Sequence, residues 1–514
     1  MKLNKKIRNC IRSNFLFFCI LIFALFLRLY FFVGIGFNDD SYYLEYAEEI
    51  YKENKFIPPS GVEWGIRIAV YYPVVFFWKI FGINELSTSL YFLLLSLGSI
   101  AITYLLGKEI FNKKIALTAA FLLSIFPLEI IYSTQVGPEI PTQLFSAASI
   151  LFFIKGEKSR KIFYYFLSGI FLGFCYLSKS VVILIIPIIG FYVFWNHFKK
   201  GLFKHLKNNI FPYLVFLSGF MIIFLLQLIH FYIITGEWFY GEKVRNYFFT
   251  HDLNSNSDLS YYIRMMFNFG PFFNWIHDKP YFGFIYYFVF FSLIFLIYKK
   301  DKFSIFLIFW LLFLFLFFEF GLQFYCTKIV EYCLYARHIR FLSIFSIPAV
   351  IILSRFLLFT TKIQKVLLAP ILIFLFITSL YYTNQSYIFL RNGMGYIREA
   401  VYFLKGTSNK TIYIPDPWTI SKFKFFSKYD ENFINRLKVY DCNTIDCKNY
   451  FYNSGKFIRD AFVVTELNPY TYINPYSYPE FMLNPPKDWI LLKNISLNTI
   501  GIFSKFNPKI YYVP

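Results

Sequence analysis

Residues 36–51 read GFNDDSYYLEYAEEIY. A long apolar run, from about Phe15 to Val33, stops just before them, so Asp39 and Asp40 stand where a membrane helix leaves the lipid. The residues that follow recur at helical spacing, with Tyr43, Ala47 and Ile50 on one face. Charge beside a membrane boundary is costly unless it works there or stays in water. Two readings stay open for the pair. It caps the following helix, a task that Asn38, Asp40 or Ser41 can each do alone by accepting from free N–H groups. Alternatively, it is the polar centre of a site that meets a substrate held in the membrane.

The rest of the chain favours a membrane protein. Of its 514 residues 57% are hydrophobic and 16% charged, against roughly 25% charged in a soluble domain. Runs of about 20 apolar residues, enough to cross a bilayer, recur along it. The formal charge of +21 suggests nucleic acid in a soluble protein. Here no basic run is interleaved with stacking aromatics on a polar segment, so nucleic acid is not a partner.

Apolar spans are read at about 15–33, 86–106, 115–133, 140–154, 162–178, 180–195, 209–234, 281–298, 303–319, 339–358 and 366–383. The fold class is therefore a polytopic α-helical membrane protein of about eleven transmembrane helices. Alternate loops are rich in Lys and Arg, namely 107–114, 155–161, 197–207, 298–302 and 355–365, which makes them cytoplasmic by the positive-inside rule. The basic start, MKLNKKIRNCIR, lacks a small-residue cleavage site after it and reads as a retained cytoplasmic anchor. An odd number of spans then places the tail outside the cell membrane. Residues 1–384 form the membrane domain, with a first outer loop at 37–84, and 385–514 form an extracytoplasmic domain. Within that loop, IRIAVYYPVVFFWKIFG lies along the interface. In the tail, GYIREAVYFLK reads as a helix, while TIYIPDPW, DAFVVTE, WILLKN and TIGIFSK read as short strands. The domain is thus small and α/β, and it covers the membrane site, meets the acceptor or acts as a structural cap.

Cys326 with Cys333 and Cys442 with Cys447 lie on the outer side, where local disulfides form, and free thiols are the alternative. Three sequons, at Asn384, Asn409 and Asn494, fall in the tail.

Further charges collect on the same side. Glu139 sits at the next outer turn, in YSTQVGPEIPTQLF, either as a helix-start carboxylate after Pro138 or as a partner of the Asp pair. Arg67, Lys179, Arg337, His338 and Arg340 are the outer cations. Each can snorkel to headgroups, Lys179 above all. Arg67 and the Arg337–Arg340 cluster suit an anion site, because a guanidinium grips phosphate with a planar fork. Carboxylates and cations together fit transfer from a lipid phosphate, in which the leaving group needs cationic stabilisation and the nucleophile a general base.

The D-D-S-Y-Y-x-E-Y-A register from Asp39 to Ala47 resembles the acidic first-loop motif of the GT-C membrane glycosyltransferases. Arg67, the YSTQVGPEIPTQLF and GFCYLSKSVVILIIP segments, and YARHIRFLSIFSIP follow in order. Together they are similar to the group of dolichyl-phosphate-mannose protein mannosyltransferases and aminoarabinose transferases. The resemblance covers about residues 10–385. It implies a hexosyl- or pentosyltransferase with a polyprenyl-phosphate-sugar donor and an extracytoplasmic protein, lipid or glycan acceptor, inverting by direct displacement. It implies Asp39 as catalytic base, Asp40 as its acidic neighbour, and Glu139 as the second acidic position. Arg67, Arg337, His338, Arg340 and Lys179 would face the donor phosphate. A divalent metal on Asp39, Asp40 and Glu139 stays open, since all three are hard oxygen ligands. The tail lacks the W-W-D signature of oligosaccharyltransferases and does not look like the MIR domains of eukaryotic mannosyltransferases. The competing class, a transporter or lipid flippase, predicts ionisable groups near the midplane and internal repeats. Such groups are few, Arg28 within the first span and Glu319 near the end of the ninth among them, and no repeat is visible.

Overall fold

The computed structural model describes residues 14–36, 39–59, 62–198, 201–251, 283–299, 301–320, 339–358, 362–414, 417–439, 460–465, 487–495 and 509–514. Arg337, His338, Cys10, Cys326, Cys333, Cys442, Cys447 and the predicted strand TIGIFSK lie outside these residues. Cys19 and Cys175 are free thiols.

Each predicted span meets a helix. In chain order these are α1 (Phe15–Tyr30), α2 (Asp40–Glu53), α3 (Ile68–Phe81), α4 (Glu85–Ile110), α5 (Lys113–Ser124), α6 (Pro127–Tyr132), α7 (Glu139–Ser159), α8 (Ile162–Ser178) and α9 (Ile185–His197). Then come α10 (Leu202–Asn208), α11 (Ile210–Thr235), α12 (Tyr240–His251), α13 (Ile285–Lys299), α14 (Lys302–Phe320), α15 (Ser343–Leu357) and α16 (Lys362–Lys405). Five described helices are long and apolar enough to cross a membrane by themselves. The third predicted span is broken into α5 and α6. Pro127 has no N–H and pushes Phe126 to an extended conformation (φ −69°, ψ 122°), so one helix ends and another begins.

The outward faces are apolar, as lipid contact demands. On α11 Leu214, Leu217, Leu225, Leu226 and Ile233 are exposed. Its inner face meets α8 through small residues. A methyl group on Gly169 would fall 1.9 Å from the carbonyl oxygen of Phe216, and one on Gly219 would fall 2.4 Å from that of Phe166. The two backbones therefore touch, which is how helices associate where no hydrophobic force drives them together. On α3 Val70, Tyr71, Val74 and Trp78 are buried while Tyr72, Phe76 and Ile80 face outward, a two-sided helix suited to a membrane interface.

Past the membrane helices, α16 continues unbroken across position 384, and the tail adds α17 (Pro417–Phe426) and α18 (Glu431–Ile434). Strands β1 (Thr411–Ile414), β2 (Leu437–Val439), β3 (Ala461–Thr465), β4 (Ile490–Asn494) and β5 (Lys509–Val513) form one sheet in the order β2-β1-β3-β5-β4. β1 runs parallel to β2 and β3; β5 runs antiparallel to β3 and β4. Three of the expected strands appear here, but Pro417 and Trp418 open α17 rather than extend the first strand, because Pro suits a helix start. One hydrophobic core joins this domain to the first outer loop: Tyr43, Ala47 and Trp78 pack with Ile397, Ile412, Phe423 and Tyr429. The tail thus lies on α2 and holds it from above.

Candidate active site

The helix that follows the Asp pair does not use either carboxylate as a cap. Asp39 occupies the N-cap position of α2 with helical backbone angles and no side-chain cap bond. Its Oδ2 instead accepts from Trp64 Nε1 at 2.7 Å and from the guanidinium of Arg340. Asp40 Oδ2 turns back and accepts from the Gly36 N–H at 2.8 Å. Neither carboxylate therefore serves as a side-chain cap, although Asp40 sits in the first turn of α2, where the helix dipole favours a negative charge.

Arg340 comes from a 3-10 turn, Ile339–Leu342, that feeds α15. Its Nε lies 3.2 Å from Glu139 Oε1, so one buried guanidinium links Asp39 to Glu139 across three separate parts of the chain. Glu139 sits in the first turn of α7, where the helix dipole favours a negative charge. Glu139 thus both starts a helix and shares a cation with Asp39. A small crevice lined by Asp40, Tyr132, Gln135, Gly137, Glu139 and Arg340 lies beside this bridge.

Arg67 is buried a short way off. It donates to Tyr43 Oη at 2.8 Å and to Glu63 Oε2 at 2.8 Å, and Ser180 donates to the other oxygen of Glu63 at 2.9 Å. Arg67 faces Asp39 rather than lipid, but its fork is already engaged. Lys179 ends α8 in an extended conformation, buried, with its amine 3.2 Å from the centre of the Phe341 ring. Glu139, Arg67, Arg340 and Glu63 surround it.

These surroundings set the electrostatics. Burial alone raises the Asp39 carboxyl, but Arg340 and Arg67, with the Arg340 and Trp64 hydrogen bonds, outweigh it and hold Asp39 below the ordinary carboxylate value. Burial dominates at Asp40 and pushes it up to about 6, against the Gly36 N–H and the charge of Lys422. Adjacent acids are thus driven apart: Asp39 stays ionised at neutral pH and Asp40 holds its proton more readily. Burial pushes the Lys179 amine well below its usual value, with Glu139 opposing.

Among the described residues, Asp39, Asp40 and Glu139 do not converge as ligands for one ion, because a guanidinium stands between two of them. Four participants were not foreseen. Trp64 and Tyr43 are aromatic residues in an aromatic-rich chain and carry no signal of their own. Glu63, four residues before Arg67, is a signal that sequence could have yielded. Lys422 reaches the site from α17 of the tail, buried near Asp40.

The description "Dolichyl-phosphate-mannose-protein mannosyltransferase" belongs to the family model that matches residues 68–230. An uncharacterized protein of Aquifex aeolicus is 27% identical over 178 residues, which are 32% of this chain and 36% of that one. The match thus spans about a third of that relative's length. ArnT of Cupriavidus metallidurans superposes with a TM-score of 0.57 at 12% identity over 97% of this chain and 98% of its own. The same protein bound to undecaprenyl phosphate gives 0.55 at 11% identity, with the same coverage. The oligosaccharyltransferase of Archaeoglobus fulgidus gives 0.53 at 12% identity over 94% of this chain and 74% of its own. At these identities the superpositions speak for the fold, and the matched segment adds the family signal. The resemblance drawn from the first-loop motif holds: in fold over nearly its whole length, and in sequence over 68–230, the chain resembles the GT-C membrane glycosyltransferases.

Proposed function

We propose that this chain is an integral-membrane glycosyltransferase moving one sugar from a polyprenyl-phosphate donor to an acceptor outside the cytoplasm, with inversion by direct displacement. The observation that carries the reading is the Asp39–Arg340–Glu139 bridge, buried at the predicted outer boundary and unexplained by helix capping. ArnT captured with undecaprenyl phosphate, and the Archaeoglobus fulgidus oligosaccharyltransferase captured with dolichol-phosphate and an inhibitory peptide, support the donor class.

The residues divide the work by their chemistry. The donor phosphate competes with Asp39 for Arg340, whose second partner, Glu139, keeps the guanidinium in place. Arg67 supplies further positive charge nearby, and Lys179, whose amine burial drives toward its neutral form, takes up a proton as the phosphate arrives. Asp39, relieved of its cation, accepts the proton of the acceptor hydroxyl or amine as that atom attacks the anomeric carbon. The bond from that carbon to the phosphate oxygen breaks, and its electron pair leaves on the phosphate, stabilised by the cations. An apolar groove of about 800 Å³ beside α3, lined by Tyr72, Phe76, Phe171, Phe174, Ile223 and Leu226, offers the prenyl chain an apolar path. Arg337 and His338 belong to the donor-phosphate reading but lie outside the described residues.

Asp39→Asn tests the assignment. Asparagine keeps an oxygen for Trp64, and Arg340 keeps Glu139, so the variant should insert and fold. Transfer should fall by about 10²–10⁴-fold, the ordinary worth of a general base. Transfer at the wild-type rate, with the true donor and acceptor, would remove Asp39 from the mechanism.

A further inference from the structure

A second polar cluster sits at the other end of α7. Glu157 is five turns beyond Glu139 on the same helix, about 27 Å along the axis at 1.5 Å per residue. The outer chemistry cannot use it. Three cytoplasmic segments by the charge rule converge here: the end of α7, His197 at the last position of α9, and His205 on α10. Glu157 Oε2 lies 3.2 Å from His197 Nε2 and 3.2 Å from His205 Nε2.

We propose that Glu157, His197 and His205 form a zinc site that ties these three helix ends together. One ligand atom from each lies within 4.8 Å of the others. Zinc bonds of about 2.0–2.2 Å to imidazole and carboxylate put tetrahedral ligands about 3.4 Å apart, close to the oxygen–nitrogen separations seen. The carboxylate is prepared for one-oxygen ligation. Tyr165 donates to Glu157 Oε1 at 2.8 Å and Tyr213 at 3.0 Å, which occupies that oxygen and leaves Oε2 to the imidazoles; Tyr213 Oη also lies 2.9 Å from His205 Nε2, a contact that this nitrogen exchanges for the metal. The histidine rings stack with centroids 3.4 Å apart and planes at 12°. Turning them apart aims both Nε2 lone pairs at one point and leaves a fourth position for water. The protons these nitrogens now direct at Glu157 pass to Nδ1 or to solvent. Two imidazoles and one carboxylate suit zinc over magnesium or calcium, which prefer all-oxygen sets. Arg160, bonded to Asn209 at the rim, adds positive charge and disfavours ions held by charge alone.

Asn209 supplies a directional test. Its Nδ2 lies 3.3 Å from His205 Nδ1 and also donates to the His205 carbonyl at 2.7 Å. A metal-bound His205 carries its proton on Nδ1 and prefers a carboxylate there. The full chain is purified on a histidine-free tag, stripped with chelator and titrated with Zn²⁺ alone, with Co²⁺ as the optical stand-in. About one zinc per chain should bind, cobalt should give visible tetrahedral bands, and the unfolding midpoint in detergent should rise with zinc. His197→Gln with His205→Gln should lose all three. Wild-type protein that takes up no zinc, or a double variant that keeps uptake and bands, overturns the site. If the double variant is not monodisperse, Tyr165→Phe, which removes only a donor to Glu157 Oε1, and Asn209→Asp decide, since both leave the ligands in place. The first should weaken zinc by about 10–100-fold and the second should tighten it; no change in either refutes the proposal.

Discussion

Glu139→Gln isolates the bridge without touching the proposed base. In the wild type the Arg340 guanidinium is shared, its Nε on Glu139 at 3.2 Å and its terminal nitrogen on Asp39. At that distance and an effective dielectric constant near 20 the gross attraction is about 5 kcal/mol. The contact is an ion pair without hydrogen-bond geometry, and glutamine removes its charge, so the net loss is about 1.5–3 kcal/mol, the low end for close buried charge pairs. Released on one side, the guanidinium settles onto Asp39 and away from the phosphate. kcat/KM for the donor should fall by roughly 10–100-fold, at 1.36 kcal/mol per tenfold. The pH profile gives a second readout with a definite sign. A carboxylate held more tightly by a cation ionises at lower pH, so the acid limb of kcat/KM should move down even as the plateau falls. The assay is transfer from a labelled polyprenyl-phosphate sugar in detergent or liposomes, with monodispersity as the folding control. An unchanged kcat/KM, or an acid limb that moves up, would show that Glu139 does not position Arg340.

Three other outcomes follow from the same geometry. The raised Asp40 carboxyl favours its protonated form in the fold, so its contribution is fully present below about pH 4 and is lost as pH rises through about 6, costing up to about 3 kcal/mol; the detergent unfolding midpoint should show a component falling over that window, and Asp40→Asn should remove it. Arg67→Met leaves Glu63 buried with Ser180 as its remaining hydrogen-bond donor and should destabilise by about 3–5 kcal/mol, whereas Glu63→Gln with Arg67→Met should recover much of the loss; equal destabilisation by single and double variants in chemical unfolding would contradict the pairing. Gly169→Ala would drive a methyl into the Phe216 carbonyl oxygen at 1.9 Å, so α8 and α11 must separate, and thermal scanning should show a large fall in midpoint where Gly190→Ala, with open space around it, shows little.

How much of this was legible depends on the range of the interaction involved. Spans are local: twenty apolar residues announce themselves, and the helices fall where hydropathy placed them. The break before Pro127 was equally local, a missing N–H and a restricted preceding residue, and it needed only to be weighed against the apolar run that hid it. Strands β2 and β5 escaped notice because three and five residues beside loop-rich sequence have little periodicity to show, and the sheet itself supplies the context that makes them strands.

The site follows the same logic with a sharper lesson. Asp39 and Glu139 could be proposed from their positions at predicted lipid boundaries, yet the cation between them could not be chosen from sequence. Arg340 and Arg67 both suit phosphate by their planar forks, and Arg67 lies nearer to Asp39 in the chain. That same nearness gave it a closer partner, because Glu63 lies four residues before it and the intervening 3-10 turn brings the two side chains together at 2.8 Å. Arg340, 301 residues from Asp39, wins the carboxylate because folding of the whole bundle, not local chain geometry, delivers it there. A cation with an obligate local acid is bound into structure, whereas one whose acids come only from distant segments can be shared with a substrate. By that criterion Arg340, rather than Arg67, is the guanidinium that an incoming phosphate can recruit, and the two predictions diverge: loss of Arg67 should appear first in stability, and loss of Arg340's second partner first in kcat/KM.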